Sequence, residues 1–265
     1  MNFSVYNSIP IGQIYPGVTP NINQYQPVRT KNDSISVNRD LDRYLNKAVL
    51  TDMVNSNPVI TKMLQDKGVQ TKIDVENFMK TTYQHSLDTK NKAVGIYNYL
   101  PVDLKAEANL KYIQKGAMLH DIGKVLIPSK ILNKNGRLNP EETEVMHLHS
   151  KLSEALLSSQ NIEPEVLNIV KYHHQNEQGS GYPEIKNTIT GFDINTEVVA
   201  LADKYSALTE KRSYKAPMSS EEALSIMREQ VDNGEINPRV FNALVGYVNS
   251  KNAVPEIAPS TASVA

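Results

Sequence analysis

The sequence predicts an all-α fold, and three observations carry that expectation. Apolar residues recur at helical spacing along most of the chain, as between Asp40 and Val54, where Leu41, Tyr44, Leu45, Ala48 and Leu50 form a broad stripe. Helix punctuation recurs as well: Asn57-Pro58 is a cap followed by proline, and Pro140-Glu141-Glu142 puts acids into a first turn, where the helix dipole favours them. No segment shows the sustained alternation of a half-buried strand.

Taken in order, the first stripe ends near Val54, and Asn57-Pro58 opens a short helix that stops near Gly68. Asp74 to Leu100 reads as one long helix, bent near Asp88 and broken by Pro101. Leu104 to Leu119 is the next, with Leu104, Ala108, Tyr112 and Leu119 among its apolar positions. A loop from Ile127 to Pro140 contains the turn signal NKNG. Further helices fit Pro140 onward, Pro164 to Tyr172, Thr196 to Thr209, Ser220 to Val231 and Pro238 to Val248. Residues 1–38 carry Pro10, Pro16, Pro20 and Pro27 without helical period, and 252–265 carry Pro255 and Pro259; both are expected to be disordered tails. Between them, 39–73 forms a short helical segment and 74–251 the main domain.

Composition narrows the chemistry. With 265 residues the chain can bury a sizeable core. Its 28 basic and 29 acidic residues give a net charge of −1, so the overall balance favours neither a nucleic-acid polymer nor an acidic membrane surface. There are no cysteines, so any metal must rest on His, Asp or Glu. No apolar run approaches the roughly 18 residues of a membrane span. The opening MNFSVYNSIP lacks the order of a signal peptide, so a cytoplasmic location without membrane attachment is expected.

Histidines fall on buried-looking faces. Leu110, Ile113, Ala117 and His120 lie at spacings of 3, 4 and 3, and Asp121 follows Ala117 by four. A carboxylate on such a stripe is costly unless paired or metal-bound; the plain alternative is a helix that ends in His-Asp with Gly123 as its cap. His149 shares a face with Val145, Leu152 and Leu156, while His147 is turned about 160° away. His85 aligns with Phe78, Ala93 and Ile96, and Asp203 with Val199, Ala202 and Ser206. His173 and His174 are adjacent at a helix end, where neighbours can reach two sides of a paired-metal site, although histidine also suits a plain helix terminus. Convergence of these faces on metal explains them jointly.

The stretch from about His85 to Val248 resembles the HD-GYP domain, a branch of the HD phosphohydrolase superfamily. The motifs are collinear: HDIGKVLIP, ETEVMHLHSKLSEALL, YHHQNEQGSGYP and VVALADKYSALTEKRSYK. The resemblance implies an HD-domain helical bundle with the GYP extension. It implies two or three metal ions, commonly iron or manganese, on His85, His120, Asp121, His149, His173, His174 and Asp203, with Asp121 bridging. It also implies hydrolysis of cyclic di-GMP by a metal-activated hydroxide, with Gly181, Tyr182 and Pro183 forming the family loop and Arg212 and Lys215 binding phosphate. Thr81 stands where three-metal members carry glutamate, which favours two ions. Gln175 to Gln178 and Ser206 also depart from the family pattern, at positions that bear on substrate grip.

The chemistry suits such a centre. Two cations about 3.5–4 Å apart offset charge on phosphoryl oxygens, and one carboxylate can bridge them. Lys124, three residues after Asp121, is placed to donate to a phosphoryl oxygen as charge builds. Arg212 can pair with phosphate bidentately, Lys215 adds a point charge, and Tyr182 offers a ring to shape the pocket. Three functions are carried forward: a cyclic di-GMP phosphodiesterase, an HD phosphohydrolase for another nucleotide, and a catalytically weak cyclic dinucleotide-binding or scaffold protein, controlled by a partner or by homodimerisation.

Overall fold

A computed structural model describes residues 41–184, 193–210 and 217–252. They form helices and connecting turns, with no strand among the described residues, as the apolar period requires. The tails expected at 1–38 and 252–265 lie outside the described residues, apart from Asn252, which is helical rather than part of a tail; Arg212 and Lys215 also lie outside them.

A helical turn at 41–44 is followed by α1 (Lys47–Ser56) and α2 (Pro58–Gln65). Asn46 interrupts the stripe read as continuous from Asp40, because its side chain accepts from the Ala48 and Val49 N–H groups and starts α1 afresh. Asp74 caps α3 (Val75–Thr81), and α4 (Tyr83–Tyr99) follows after a break at Thr82. The expected single helix over Asp74 to Leu100 is therefore two, broken at Thr82 rather than bent near Asp88. Thr82 leaves helical geometry at φ −122°. That break sends Phe78 into one apolar cluster while His85, a turn later, faces the buried polar centre of the domain.

The helix expected over Leu104 to Leu119 is likewise two. In α5 (Val102–Glu107) no residue is buried, whereas α6 (Leu110–Leu119) buries Ile113, Ala117, Met118 and Leu119. Asn109 caps α6 through the Lys111 and Tyr112 N–H groups, and Asn195 Oδ1 accepts its own N–H at 2.6 Å. A 3-10 turn (Ile122–Leu126) and α7 (Ser129–Leu132) follow, the latter inside the stretch read as loop. The remaining helices are α8 (Pro140–Leu157), α9 (Pro164–Tyr172), α10 (Ile194–Thr209), α11 (Ser220–Asp232) and α12 (Pro238–Asn252). Capping boxes start two of them: Asn139 with Glu142 at α8, Ser219 with Glu222 at α11.

Two apolar clusters flank the centre. One gathers Leu50, Ile60, Phe78, Leu119, Leu152 and Leu156; the other gathers Ile96, Ile113, Ile169, Val198, Phe241 and Leu244. These side chains are fully buried, and each contributes roughly 1.5–3 kcal/mol from its transfer out of water. Polar side chains that cluster between such layers are held in place by both.

Candidate metal centre

Five helices and the turn after α6 deliver seven histidines and aspartates to one buried place. His85 comes from the first turn of α4, His120 and Asp121 from the end of α6, and His149 from the middle of α8. His173 and His174 come from the end of α9 and Asp203 from α10. The side chains of His120, Asp121, His149 and His173 are at most 1 % exposed, so water does not satisfy them.

The two oxygens of Asp121 face different partners. Oδ1 lies 3.3 Å from His149 Nε2 and 3.9 Å from His173 Nε2. Oδ2 lies 3.2 Å from His120 Nε2, 3.9 Å from His85 Nε2 and 2.6 Å from Lys124 Nζ. Asp203 faces the second set, with Oδ1 at 2.8 Å from His85 Nε2 and 3.7 Å from His120 Nε2, and Oδ2 at 3.7 Å from His174 Nδ1. Donor atoms of Asp121, His149, His173 and His174 all lie within 4.8 Å of one another, as do those of His85, His120 and Asp121, and those of His120, His173 and Asp203.

Hydrogen bonds aim the rings inward. Nδ1 of His120, His149 and His173 donates to the carbonyls of Ala117, Met146 and Val170, at 2.8, 2.7 and 2.9 Å. In a neutral imidazole that fixes Nε2 as the bare nitrogen, the form that binds a cation. Burial pulls His149 and His173 well below the usual histidine range and His174 to about 4, so all three are neutral at physiological pH. For Asp121, burial alone would raise the carboxyl, but neighbouring His120 and Lys124 outweigh it and hold the group well below its ordinary value. Asp203 is held down in the same way, burial being outweighed by its hydrogen bond and charge interaction with His85. His120 Nε2 and Asp121 Oδ1 are buried without a hydrogen-bond partner. Such orphans cost about 1–3 kcal/mol each, and a shared cation removes the cost. Bare Nε2 atoms on His120, His149 and His173, beside ionised carboxylates, form a donor set that fits divalent metal.

Residues around the centre hold it in shape. Ser153 donates to His120 O at 2.8 Å and accepts from Gly123 N–H at 2.8 Å, which ties the turn after Asp121 to α8. Gly123 is not a helix cap: a Cβ there would collide with the His149 carbonyl and stand 2.6 Å from Ser153 N, so glycine permits the close approach. The GYP loop closes one side. Tyr182 packs its ring 4.6 Å from that of His174 and 6.0 Å from that of His149. Burial, with Asp203 and Asp121 nearby, raises its hydroxyl pKa, so the phenol stays protonated. His147, turned away from the α8 core face, stacks on the outer side of Tyr182 at 3.7 Å. Gln175 is buried and clamps the loop, donating to Pro183 O at 2.6 Å and accepting from Gly181 N–H at 3.1 Å. Gly181 packs against the His174 carbonyl, where a side chain would not fit.

Sequence reasoning named the seven inward residues, Lys124, Gly181, Tyr182 and Pro183. It missed Ser153, which the spacing of four from His149 would have placed on the same face of α8. It also missed Glu210, whose Oε2 lies 2.9 Å from His85 Nδ1 and which stands seven residues after Asp203.

A model of the family described as HD domain matches residues 75–240. The 3′3′-cGAMP-specific phosphodiesterase 1 of Vibrio cholerae is 32% identical over 165 residues, covering 62% of this chain and 37% of that protein. A cyclic di-GMP phosphodiesterase of Thermotoga maritima is 37% identical over 146 residues, covering 53% and 38%. The chain thus spans little more than a third of the length of these relatives. Among solved structures, an HDG"Y"P protein from Bdellovibrio bacteriovorus superposes with a TM-score of 0.54 at 14% identity, over 86% of this chain and 76% of the other, a likeness of fold. No described helix is long and apolar enough to cross a membrane. The matched stretch runs from α3 into α12 and takes in every one of the inward-facing histidines and aspartates, so the chain belongs to the HD domain family.

Proposed function

We propose that this chain carries a metal-dependent phosphodiesterase centre for cyclic dinucleotides, with cyclic di-GMP as its substrate. The observation that carries the proposal is the division of Asp121 between two sets of imidazoles, with His120 Nε2 and Asp121 Oδ1 orphaned in the buried centre between them. Asp121, His149, His173 and His174 would hold one ion, and His85, His120, Asp121 and Asp203 a second, with Asp121 common to both. Iron or manganese suits these ligands. Divalent ions bound there supply Lewis acidity toward phosphoryl oxygens and lower the pKa of water.

The chain's own residues do the rest. Burial excludes bulk solvent from the imidazoles, which strengthens every charge interaction among them. Lys124 Nζ, now on Asp121 Oδ2, is the nearest described cation and is assigned to neutralise a phosphoryl oxygen. Tyr182 keeps its proton, so its hydroxyl can donate to a phosphate or ribose oxygen at the edge of the centre. Arg212 and Lys215 are assigned to the phosphates on the resemblance of their segment alone.

Relatives named for both cyclic di-GMP and 3′3′-cGAMP support the substrate class, and the latter name motivates a second reading with 3′3′-cGAMP as substrate. The test is anaerobic protein loaded with Fe²⁺ or Mn²⁺, given each cyclic dinucleotide separately and then in competition. The expected result is opening of the cyclic di-GMP ring, lost in His120→Ala with Asp121→Ala. Preference for 3′3′-cGAMP replaces the first reading with the second. Binding without turnover by metal-loaded protein, for every cyclic dinucleotide, overturns both.

A further inference from the structure

Three of the buried histidines are oriented by their own helices, through the carbonyl three residues back. His85 is not. The carbonyl three residues before it, on Thr82, accepts the Ser86 N–H, and the Nδ1 of His85 instead meets Glu210 Oε2 at 2.9 Å, a carboxylate 125 residues away at the end of α10. We propose that Glu210 is a positioning residue: its carboxylate fixes the His85 ring with Nε2 toward Asp203 and strengthens that ring as a donor to the cation His85 would share with His120, Asp121 and Asp203. The inference deepens the metal-centre reading and rests on it.

The ring is gripped at both nitrogens, since Nε2 lies 2.8 Å from Asp203 Oδ1. A charged acceptor on the far nitrogen of a metal-binding imidazole raises its basicity, which a neutral backbone carbonyl does more weakly. Glu210 is itself held. Its Oε1 lies 2.9 Å from Ser206 Oγ, one turn earlier on α10, and that hydroxyl lies 2.8 Å from Asp88 Oδ2 on α4. One hydroxyl proton cannot serve both carboxylates at once. The Lys92 ammonium pairs with Asp88 and lies 3.4 Å from Ser206 Oγ, so a positive charge sits beside the carboxylate that competes with Glu210 for that proton. The result is a chain of contacts from Lys92 through Asp88, Ser206 and Glu210 to His85, joining α4 to the end of α10 where two of the assigned ligands meet. Ser206, which departs from the family pattern, thus has a defined place as the support of Glu210.

The test compares wild-type protein, Glu210→Ala and Glu210→Gln, each loaded anaerobically with Mn²⁺. Bound equivalents are measured by elemental analysis and affinities by chelator competition. Glu210→Ala is expected to bind one equivalent about 10- to 100-fold more weakly. The other equivalent should keep wild-type affinity, because Asp121, His149, His173 and His174 are untouched, and its retention shows that the variant is folded. Glu210→Gln keeps an oxygen that accepts the Nδ1–H but loses the charge, so it should recover only the part of the affinity that ring orientation supplies. Loss of both equivalents, loss of neither, or no recovery in Glu210→Gln overturns the proposal. Wild-type protein that binds no Mn²⁺ removes the metal-centre reading together with this one, whereas full loading of wild type and Glu210→Ala alike removes only this one.

Discussion

Adding a single methyl group at Gly123 should dislocate the histidine-aspartate corner. Gly123 lies between Asp121 and Lys124, in the 3-10 turn that packs on α8. The added carbon would stand 2.6 Å from Ser153 N and 2.9 Å from Ser153 Oγ, and closer still to the His149 carbonyl. Both nearest atoms are backbone, so no side chain can swing aside and the turn must retreat from α8. Overpacking of this kind costs about 1–3 kcal/mol. Retreat also breaks the Gly123 N–H bond to Ser153, worth about 1 kcal/mol. The sum is roughly 2–4 kcal/mol, which in a domain of this size lowers the melting temperature by about 5–15 °C. Because Asp121 moves with the turn, a displacement near 1 Å should also cost about 100-fold in turnover. Thermal melts of Gly123→Ala, run with Mn²⁺ competition and turnover assays, check both effects. A melt within about 2 °C of wild type, with metal affinity unchanged, would refute the interlock of this turn with α8.

Ser153→Ala removes the acceptor of the Gly123 N–H and the donor to His120 O, so urea denaturation should show a loss of about 1–3 kcal/mol; an unchanged midpoint would mean that these bonds do not hold the corner. Glu197 is pushed up to about 8, chiefly by burial and by the neighbouring Glu177 carboxyl. The folded form therefore keeps a proton that the unfolded chain releases near 4.5, and stability falls as pH rises from about 4.5 to about 8. Discounted for partial exposure, Glu197→Gln should stabilise the protein by about 1–2 kcal/mol at pH 8.5 and by far less at pH 4.5, measured by denaturation at both; equal effects at the two pH values would contradict the raised Glu197 carboxyl. Gln175→Leu removes both ends of the loop clamp, so the Gly181 amide, 3.1 Å from Gln175 Oε1, should exchange with solvent about ten-fold faster by hydrogen-exchange mass spectrometry; unchanged exchange would show that the loop is held elsewhere.

The all-α architecture was legible because burial in helices leaves a period that survives in sequence, and the histidine faces were legible for the same reason. His149 shares its stripe with Val145, Leu152 and Leu156, and all four are buried in α8. The break at Thr82 was not legible, since its threonine makes no side-chain cap hydrogen bond and the helical period runs across it; across the break Phe78 and His85 face different interiors. The break at Asn109 was encoded, as an asparagine cap, but the apolar period runs through it and masks it. Glu210 reads as a solvated acid at a helix end, because its partner His85 lies on another helix and no local spacing links them. Gln175 reads as a lost family residue, yet the loop needs one side chain that both donates and accepts, which an amide provides and a carboxylate does not.

The central claim is that side chains from five helices hold a shared pair of divalent cations. Elemental analysis of anaerobically reconstituted wild-type protein beside Asp121→Ala tests it most directly. The account predicts about two equivalents of Fe²⁺ or Mn²⁺ in the wild type and loss of both in the variant, because Asp121 is common to the two sets of ligands. Wild-type protein that stays metal-free, or an Asp121→Ala protein that keeps its full complement, would contradict it.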